Sequence, residues 1–447
     1  MTICPMAPAD HAWLRMDCPE NLVVIHLAFV FEGELLLAAV AQRLHAQLKR
    51  HHQFTHRVQR GWWRAWWVAD EAFAIERHLS EHRLAAGGGC TDLQAFMSAQ
   101  APHALPVDRP LWRATLVHGV DGGSALVMRV HHSLADGVSL MDLISGMTDV
   151  ADGEPKVAPA RAADREDLSL GVALKRAPRV LANALHMVFM RRDRRSALKG
   201  RPGREKAVAW SPAVSLQLAR DLGERHGATV NDVMLAVIAG VLRRHLLAQG
   251  DRRVTAPLRT VVPMNMRPHG DAHLLGNQFG LVGVELPVHV DDPLQRLLAV
   301  RDGMNGLKSG FQGQLALALV RFAGLLPAWL QTLVLGIFSR RCTLIVTNVI
   351  GPAEARSVAG VRIDELMLCV PQGMTVGVGI SIISYNGELR IGFLVDRQLM
   401  PDSAAAAASV RGSFEQLRRA ACAAPVPAGD EVYWPVAVAL DREACAR

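Results

Sequence analysis

The amino-acid sequence predicts a mixed α/β (α+β) fold in two globular halves joined by a cationic connector. Three observations carry that expectation. Short apolar runs and helix-spaced segments alternate along both halves. Between about 151 and 207 the character changes to Pro, Ala and Gly and then to a dense basic stretch. The chain has 447 residues, 50% hydrophobic and 20% charged. That length suits two or three domains, and that composition excludes a largely disordered chain. The expected division is 1–150, a connector at 151–207, and 208–447.

The elements follow in order. Leu22–Phe31 is a nearly continuous apolar run, as in a buried strand. Leu35, Val40, Leu44 and Leu48 then recur at helical spacing. Ala125–Val130 reads as a short strand ending at His131-His132, and Ser139–Met147 as a helix. In the second half, Thr229–Leu247 reads as a helix with Met234, Val237, Ile238, Val241 and Leu242 on one apolar face. Thr229 and Asp232 fit a capping box with Asp in the Glu/Gln place. Asn231 and Asp232 also suit the positive helix N-terminus. Strand-like runs follow at Arg259–Pro263, Leu281–Leu286, Leu344–Val349, Val376–Ser384 and Leu389–Val395. Ser384-Tyr385-Asn386-Gly387 makes the last two a hairpin. A final helix is expected from Ser403 to Arg419.

The net charge of +7 taken alone admits nucleic acid, a membrane surface or an anionic substrate as partner. The charge is not spread evenly. Residues 175–206 hold eleven Lys and Arg against two acids, a local net of +9, so the remainder carries −2. Val180-Leu181, Ala184-Leu185 and Met187–Met190 interleave apolar groups with it. An amphipathic basic helix on anionic lipid has this pattern, and so has a solvated linker face. No nucleic-acid-binding motif accompanies the charge, so no nucleic-acid partner is expected. Seven dispersed Cys include no CxxC pair and no His/Cys cluster at zinc-ligand spacing. They read as reduced thiols, with no metal site. Met1–Trp13 lacks a basic start followed by an apolar stretch, so no secretory signal is expected.

The sharpest feature is His131-His132-Ser133-Leu134-Ala135-Asp136-Gly137, placed between a strand and a helix. An imidazole here can act as a general base near neutral pH, since its unperturbed pKa is about 6.5. Asp136 can fix the turn, and Gly137 allows backbone conformations that other residues resist. Each piece also has a plain reading: a metal-ligating pair, two surface histidines, an Asp-Gly turn. The composite HHxxxDG is far rarer than its parts, and that favours catalysis.

HHxxxDG resembles the signature of CoA-dependent acyltransferases with a chloramphenicol-acetyltransferase-like fold. Further matches resemble the bacterial wax ester synthase/diacylglycerol acyltransferase family: Pro110-Leu111-Trp112, Asn231-Asp232-Val233 with Leu235-Ala236, Gly276-Asn277, Asn348-Val349-Ile350-Gly351-Pro352, and Ser384–Gly387 with Asp396. The likeness runs from about residue 8 to 418. It departs at Val24-Ile25-His26, Ser133 and Ile350. The resemblance implies two subdomains of mixed sheets flanked by helices, with an active-site channel at their interface. It implies transfer of a long-chain acyl group from acyl-CoA to a fatty alcohol and/or diacylglycerol, with acyl-CoA a substrate and no cofactor. His132 would be the general base and His131 would shape the turn. Asp136 would be turned from the substrate and paired to Arg267. Asn277 would donate near the reacting oxygen or hold its loop. Asn231 and Asp232 would support the site or cap their helix, and Pro110-Leu111-Trp112 would pack beside the catalytic strand.

Leu315–Phe338 is strongly apolar but interrupted by Arg321, Pro327 and Gln331. Its pieces are shorter than the ~20 residues of a spanning helix. A lipid-facing or channel helix pair over 315–341 is expected, with buried core helices the alternative. Of Trp62, Trp63, Trp66 and Trp67, most are expected in the core near His78, with an interfacial anchor as the alternative. A cytoplasmic enzyme peripherally bound to the inner membrane or lipid droplets follows. Another HHxxxDG acyltransferase and a catalytically silent lipid-binding protein remain the competing functions.

Overall fold

The computed structural model describes residues 3–151, 193, 196–251, 254–265, 277, 279–308 and 327–423. Its frame is two seven-stranded sheets and a small third one. The strands, in chain order, are β1 (Ile3–Pro5), β2 (Val24–Phe31), β3 (His56–Arg60), β4 (Ala65–Ala69), β5 (Leu79–Arg83), β6 (Trp112–Val120), β7 (Gly123–His131), β8 (Asp149–Val150), β9 (Lys206–Trp210), β10 (Val214–Ser215), β11 (Leu258–Asn265), β12 (Phe279–Leu286), β13 (Leu344–Ile350), β14 (Arg356–Val358), β15 (Val361–Cys369), β16 (Val378–Tyr385) and β17 (Glu388–Asp396).

The first sheet runs β5-β6-β7-β2-β15-β14-β8. β2 is central and buried along its whole length, which explains a sequence that is apolar but for His26. β15 lies antiparallel to it, Cys369 opposite His26. The second half of the chain therefore completes the first sheet. The second sheet runs β10-β17-β16-β13-β11-β12, with β9 also on β17. β11/β13 and β13/β16 are parallel pairs. β9 begins at Lys206, within the span expected as connector.

β16 and β17 form the expected hairpin. Asn386 and Gly387 both have positive φ, 48° and 76°, as a tight turn between right-twisted strands requires. The helix Val230–Ala248 opens with the Thr229–Asp232 capping box. Val233, Leu235, Ala236 and Ala239 are buried along with the predicted face, so it is a core helix enclosed on nearly all sides. The expected final helix is two, Ser403–Ala408 and Val410–Ala423. Ser409 separates them, its hydroxyl donating back to the Ala406 carbonyl at 2.8 Å.

Lys206, counted with the cationic connector, is instead buried. Its ammonium donates to Asn21 Oδ1 at 2.9 Å and lies 3.3 Å from Asp396. Residues 175–192, 194 and 195 of the basic stretch lie outside the described residues, as do 315–326 of the apolar stretch; 196–205 are described and form no helix. Among the described residues no helix is long and apolar enough to cross a membrane.

Candidate active site

The HHxxxDG turn leaves the end of β7 and enters the helix Gly137–Met147. Asp136 is the N-cap of that helix. Its Oδ1 accepts from Ser139 N at 2.9 Å and Ser139 Oγ at 2.8 Å, which ties the turn to the helix start. Asp136 is also among the residues that line the cleft. Arg267, its expected partner, lies outside the described residues. Gly137 has no positive φ, contrary to the sequence expectation. It is needed for closeness: a Cβ there would meet Val349 Cγ2 at 2.9 Å. The missing side chain lets β13 of the second sheet reach the motif.

His131 is buried. The Ser133 N–H and hydroxyl donate to its Nδ1 at 3.1 and 2.8 Å, so the ring proton sits on Nε2, facing Asp17 Oδ2 at 3.8 Å. Burial pushes its pKa down to about 3, so it stays neutral and shapes the turn.

His132 lines the cleft. Its Nδ1 is 3.0 Å from Asn277 Oδ1. Asn277 Nδ2 donates to Asp10 Oδ1 and to the His132 carbonyl, each at 2.8 Å, and Asn277 N–H donates to Asp10 Oδ1 at 3.0 Å. A carboxylate only accepts, so the amide NH2 must face Asp10 and its oxygen must face the imidazole. His132 Nδ1 therefore carries the ring proton, and Nε2 is the basic nitrogen. The Trp13 ring stacks on the imidazole at 4.4 Å and 14°. Burial lowers the His132 pKa, opposed by a backbone hydrogen bond, the Asp136 charge and the Asn277 bond. The ring is thus neutral at pH 7, as a general base must be.

Around this ring is a cleft of about 130 Å³, open to solvent and walled mainly by apolar groups. Ala12, Trp13 and Met16 come from the helix Pro8–Met16, Ile25 and Leu368 from the first sheet, and Val261 and Val349 from the second. The site therefore lies between the two sheets.

Of the other predicted site residues, Asn277 accepts from His132 Nδ1–H, and its two amide hydrogens go to Asp10 Oδ1 and the His132 carbonyl. Asp232 is a buried cap, and Asn231 Oδ1 accepts from cleft-lining Asn348 at 3.2 Å. Leu111 accepts from His131 N at 3.0 Å. Trp112, next to Pro110-Leu111, is buried, stacks on His78 at 4.4 Å, and donates to Phe54 O at 2.9 Å. Of the four expected mostly in the core, Trp67 alone is buried, Trp66 is half-buried, and Trp62 and Trp63 are exposed, because the last two sit at the tip of a hairpin turn.

Sequence reasoning missed Asp10 and Trp13. Pro8 at a helix start with Asp10 and Trp13 three residues apart would have put both on one helical face.

Residues 6–191 match the wax ester synthase/diacylglycerol acyltransferase catalytic domain, and residues 275–418 match the WS/DGAT C-terminal domain. A Mycobacterium tuberculosis protein named as a diacylglycerol O-acyltransferase is 27% identical over 380 residues, covering 78% of this chain and 81% of that one. The O-acyltransferase WSD of Acinetobacter baylyi is 25% identical over 370 residues, covering 75% and 79%. The wax ester synthase/diacylglycerol acyltransferase structure from Marinobacter aquaeolei VT8 superposes with a TM-score of 0.70 at 23% identity, covering 94% of this chain and 100% of that one. The first condensation domain of the calcium-dependent antibiotic synthetase follows at 0.60 and 17%, covering 95% and 98%. These last two likenesses concern the fold. With its HHxxxDG turn set between the sheets and both family domains matched in order, the chain belongs to the wax ester synthase/diacylglycerol acyltransferase family of acyltransferases.

Proposed function

We propose that the protein transfers a long-chain fatty acyl group from acyl-CoA to a fatty alcohol and/or diacylglycerol, forming wax ester and/or triacylglycerol. The observation that carries this is the tautomer of His132: Asn277, held by Asp10, keeps the ring proton on Nδ1 and leaves Nε2 basic on a residue that lines an apolar cleft. Nε2 takes the proton of the acceptor hydroxyl. The oxygen attacks the thioester carbonyl, and the tetrahedral intermediate collapses with loss of thiolate. His132 returns its proton to that sulfur, giving CoA-SH and the ester. Both reacting groups arrive on the substrates, so no cofactor and no acyl-enzyme are required. Orientation in the cleft supplies the rest of the acceleration.

Acceptors this insoluble reside in membranes or lipid droplets, and a cytoplasmic enzyme bound peripherally to such a surface fits them. Trp329 and Leu333 on the helix Ala328–Ser339 support contact there: they are 70% and 53% exposed.

Purified protein is incubated with radiolabelled palmitoyl-CoA and either hexadecanol or diacylglycerol, and the neutral lipids are separated. Labelled ester from one or both acceptors is expected; ester from neither overturns the proposal. The pH profile tests the base. Protonation on the acid side removes it, and burial lowers its pKa. The acid limb of kcat/KM should therefore lie below pH 6.5, the ordinary histidine value. A limb above 6.5 would remove His132 from this role.

A further inference from the structure

The β3–β4 hairpin takes no part in the chemistry, yet it ends in two bare indoles. Trp62 and Trp63 are 86% and 65% exposed. They occupy the centre of a turn closed by Gly61 N–H to the Arg64 carbonyl at 2.8 Å. Such positions suit small polar residues, and nothing in the backbone asks for indole there. The Trp66 ring lies across Gly61, where a Cβ would meet it at 2.4 Å, so the tip rests on a packed aromatic base. Arg60 and Arg64 flank the indoles. Both are exposed, and among the described residues neither forms an ion pair. The segment 56–69 contains no acid.

The tip is fixed at the cleft. The Arg15 guanidinium donates to the Trp63 carbonyl at 3.3 Å and to Gln331 Oε1 at 3.4 Å. It thereby joins the hairpin to the helices Pro8–Met16 and Ala328–Ser339, which give Trp13 and Leu335 to the cleft lining. Gln331 is buried, and Trp329 and Leu333, two residues to either side of it, face outward.

We propose that the Trp62–Trp63 tip, with Arg60 and Arg64, is a docking surface for an anionic phospholipid bilayer. Indoles settle at headgroup level, and arginines reach lipid phosphates while their stems stay apolar. A second copy of the chain fits worse: a two-fold contact through the tip would set Arg60 and Arg64 against their own equivalents. The bilayer also holds the acceptor that the cleft must admit. That last step rests on the acyl-transfer reading; binding itself does not.

The full chain and its Trp62→Ala/Trp63→Ala variant are floated with vesicles of phosphatidylglycerol and phosphatidylcholine. The expected result is that the wild type binds and the variant's partition falls at least about tenfold. Arg60→Gln/Arg64→Gln should abolish the preference for phosphatidylglycerol. The indole variant should esterify a soluble short-chain alcohol as well as the wild type does, and vesicle-held diacylglycerol more slowly. Equal partition of variant and wild type, or no binding by either, overturns the proposal. So does a wild-type dimer that the variant dissociates in sedimentation velocity, or retained vesicle binding with lost capture of an acidic protein. If no acceptor is esterified while vesicle binding still needs the indoles, acyl transfer fails and docking stands.

Discussion

Replacing His132 with alanine should lower kcat/KM by about 10²–10⁴-fold, the usual contribution of a positioned base, while the protein remains folded. The residue lines the cleft, and its tautomer keeps one ring nitrogen basic. Asn277→Ala should cost less, because the imidazole then keeps its Trp13 stack but loses the acceptor that fixes the proton on Nδ1. Asn277 acts through His132, so the effects cannot add. With His132 already absent, removing Asn277 should change the residual rate little. Circular dichroism checks that each variant is folded, and steady-state kinetics under saturating acyl-CoA reads the effect. Wild-type activity in His132→Ala would end the general-base assignment. Additive losses in the double variant would give Asn277 a role of its own.

Much of this site was legible because its first half is local. A strand, a seven-residue polar turn and a helix are contiguous, and the composite motif marks them. The partners were not legible, because contacts across the chain leave no trace in local spacing. Asp10 meets Asn277 across 267 positions, and Trp13 reaches His132 across more than a hundred. The same limit applies to the sheets. The β16–β17 hairpin announces itself through Asn386-Gly387, whereas nothing near Val361–Cys369 says that it pairs with Val24–Phe31. Gly137 shows a subtler failure. Its identity follows from the approach of Val349 and not from its own dihedral angles.

Asp396→Ala should be among the most destabilising single changes, about 3–5 kcal/mol, because it strips a buried cation of its counter-charge. The Lys206 and Asp396 side chains are 5% and 0% exposed. Asp396 also accepts from the backbone of Gly203 at 2.6 Å, Gln398 at 3.0 Å and Leu399 at 3.2 Å, so its loss orphans three amides as well. Burial already lowers the Lys206 pKa, and the Asp396 charge works against that shift. Without the carboxylate the amine is driven to shed its proton. Lys206→Met should cost less, since the carboxylate keeps three N–H donors. The damage should reach the cleft. Asn21 accepts from Lys206 and donates to the carbonyls of Met374 and Val376, two residues of the cleft wall. A loosened wall should raise KM for the lipid acceptor more than it lowers kcat, because the reacting groups stay in place. Urea unfolding of the two variants measures the first effect and acceptor titration the second. If Lys206→Met proves the more damaging, the network is held by the ammonium and its neutral acceptors, Asn21 Oδ1 and the Gly203 carbonyl, each at 2.9 Å, and the carboxylate is not its centre.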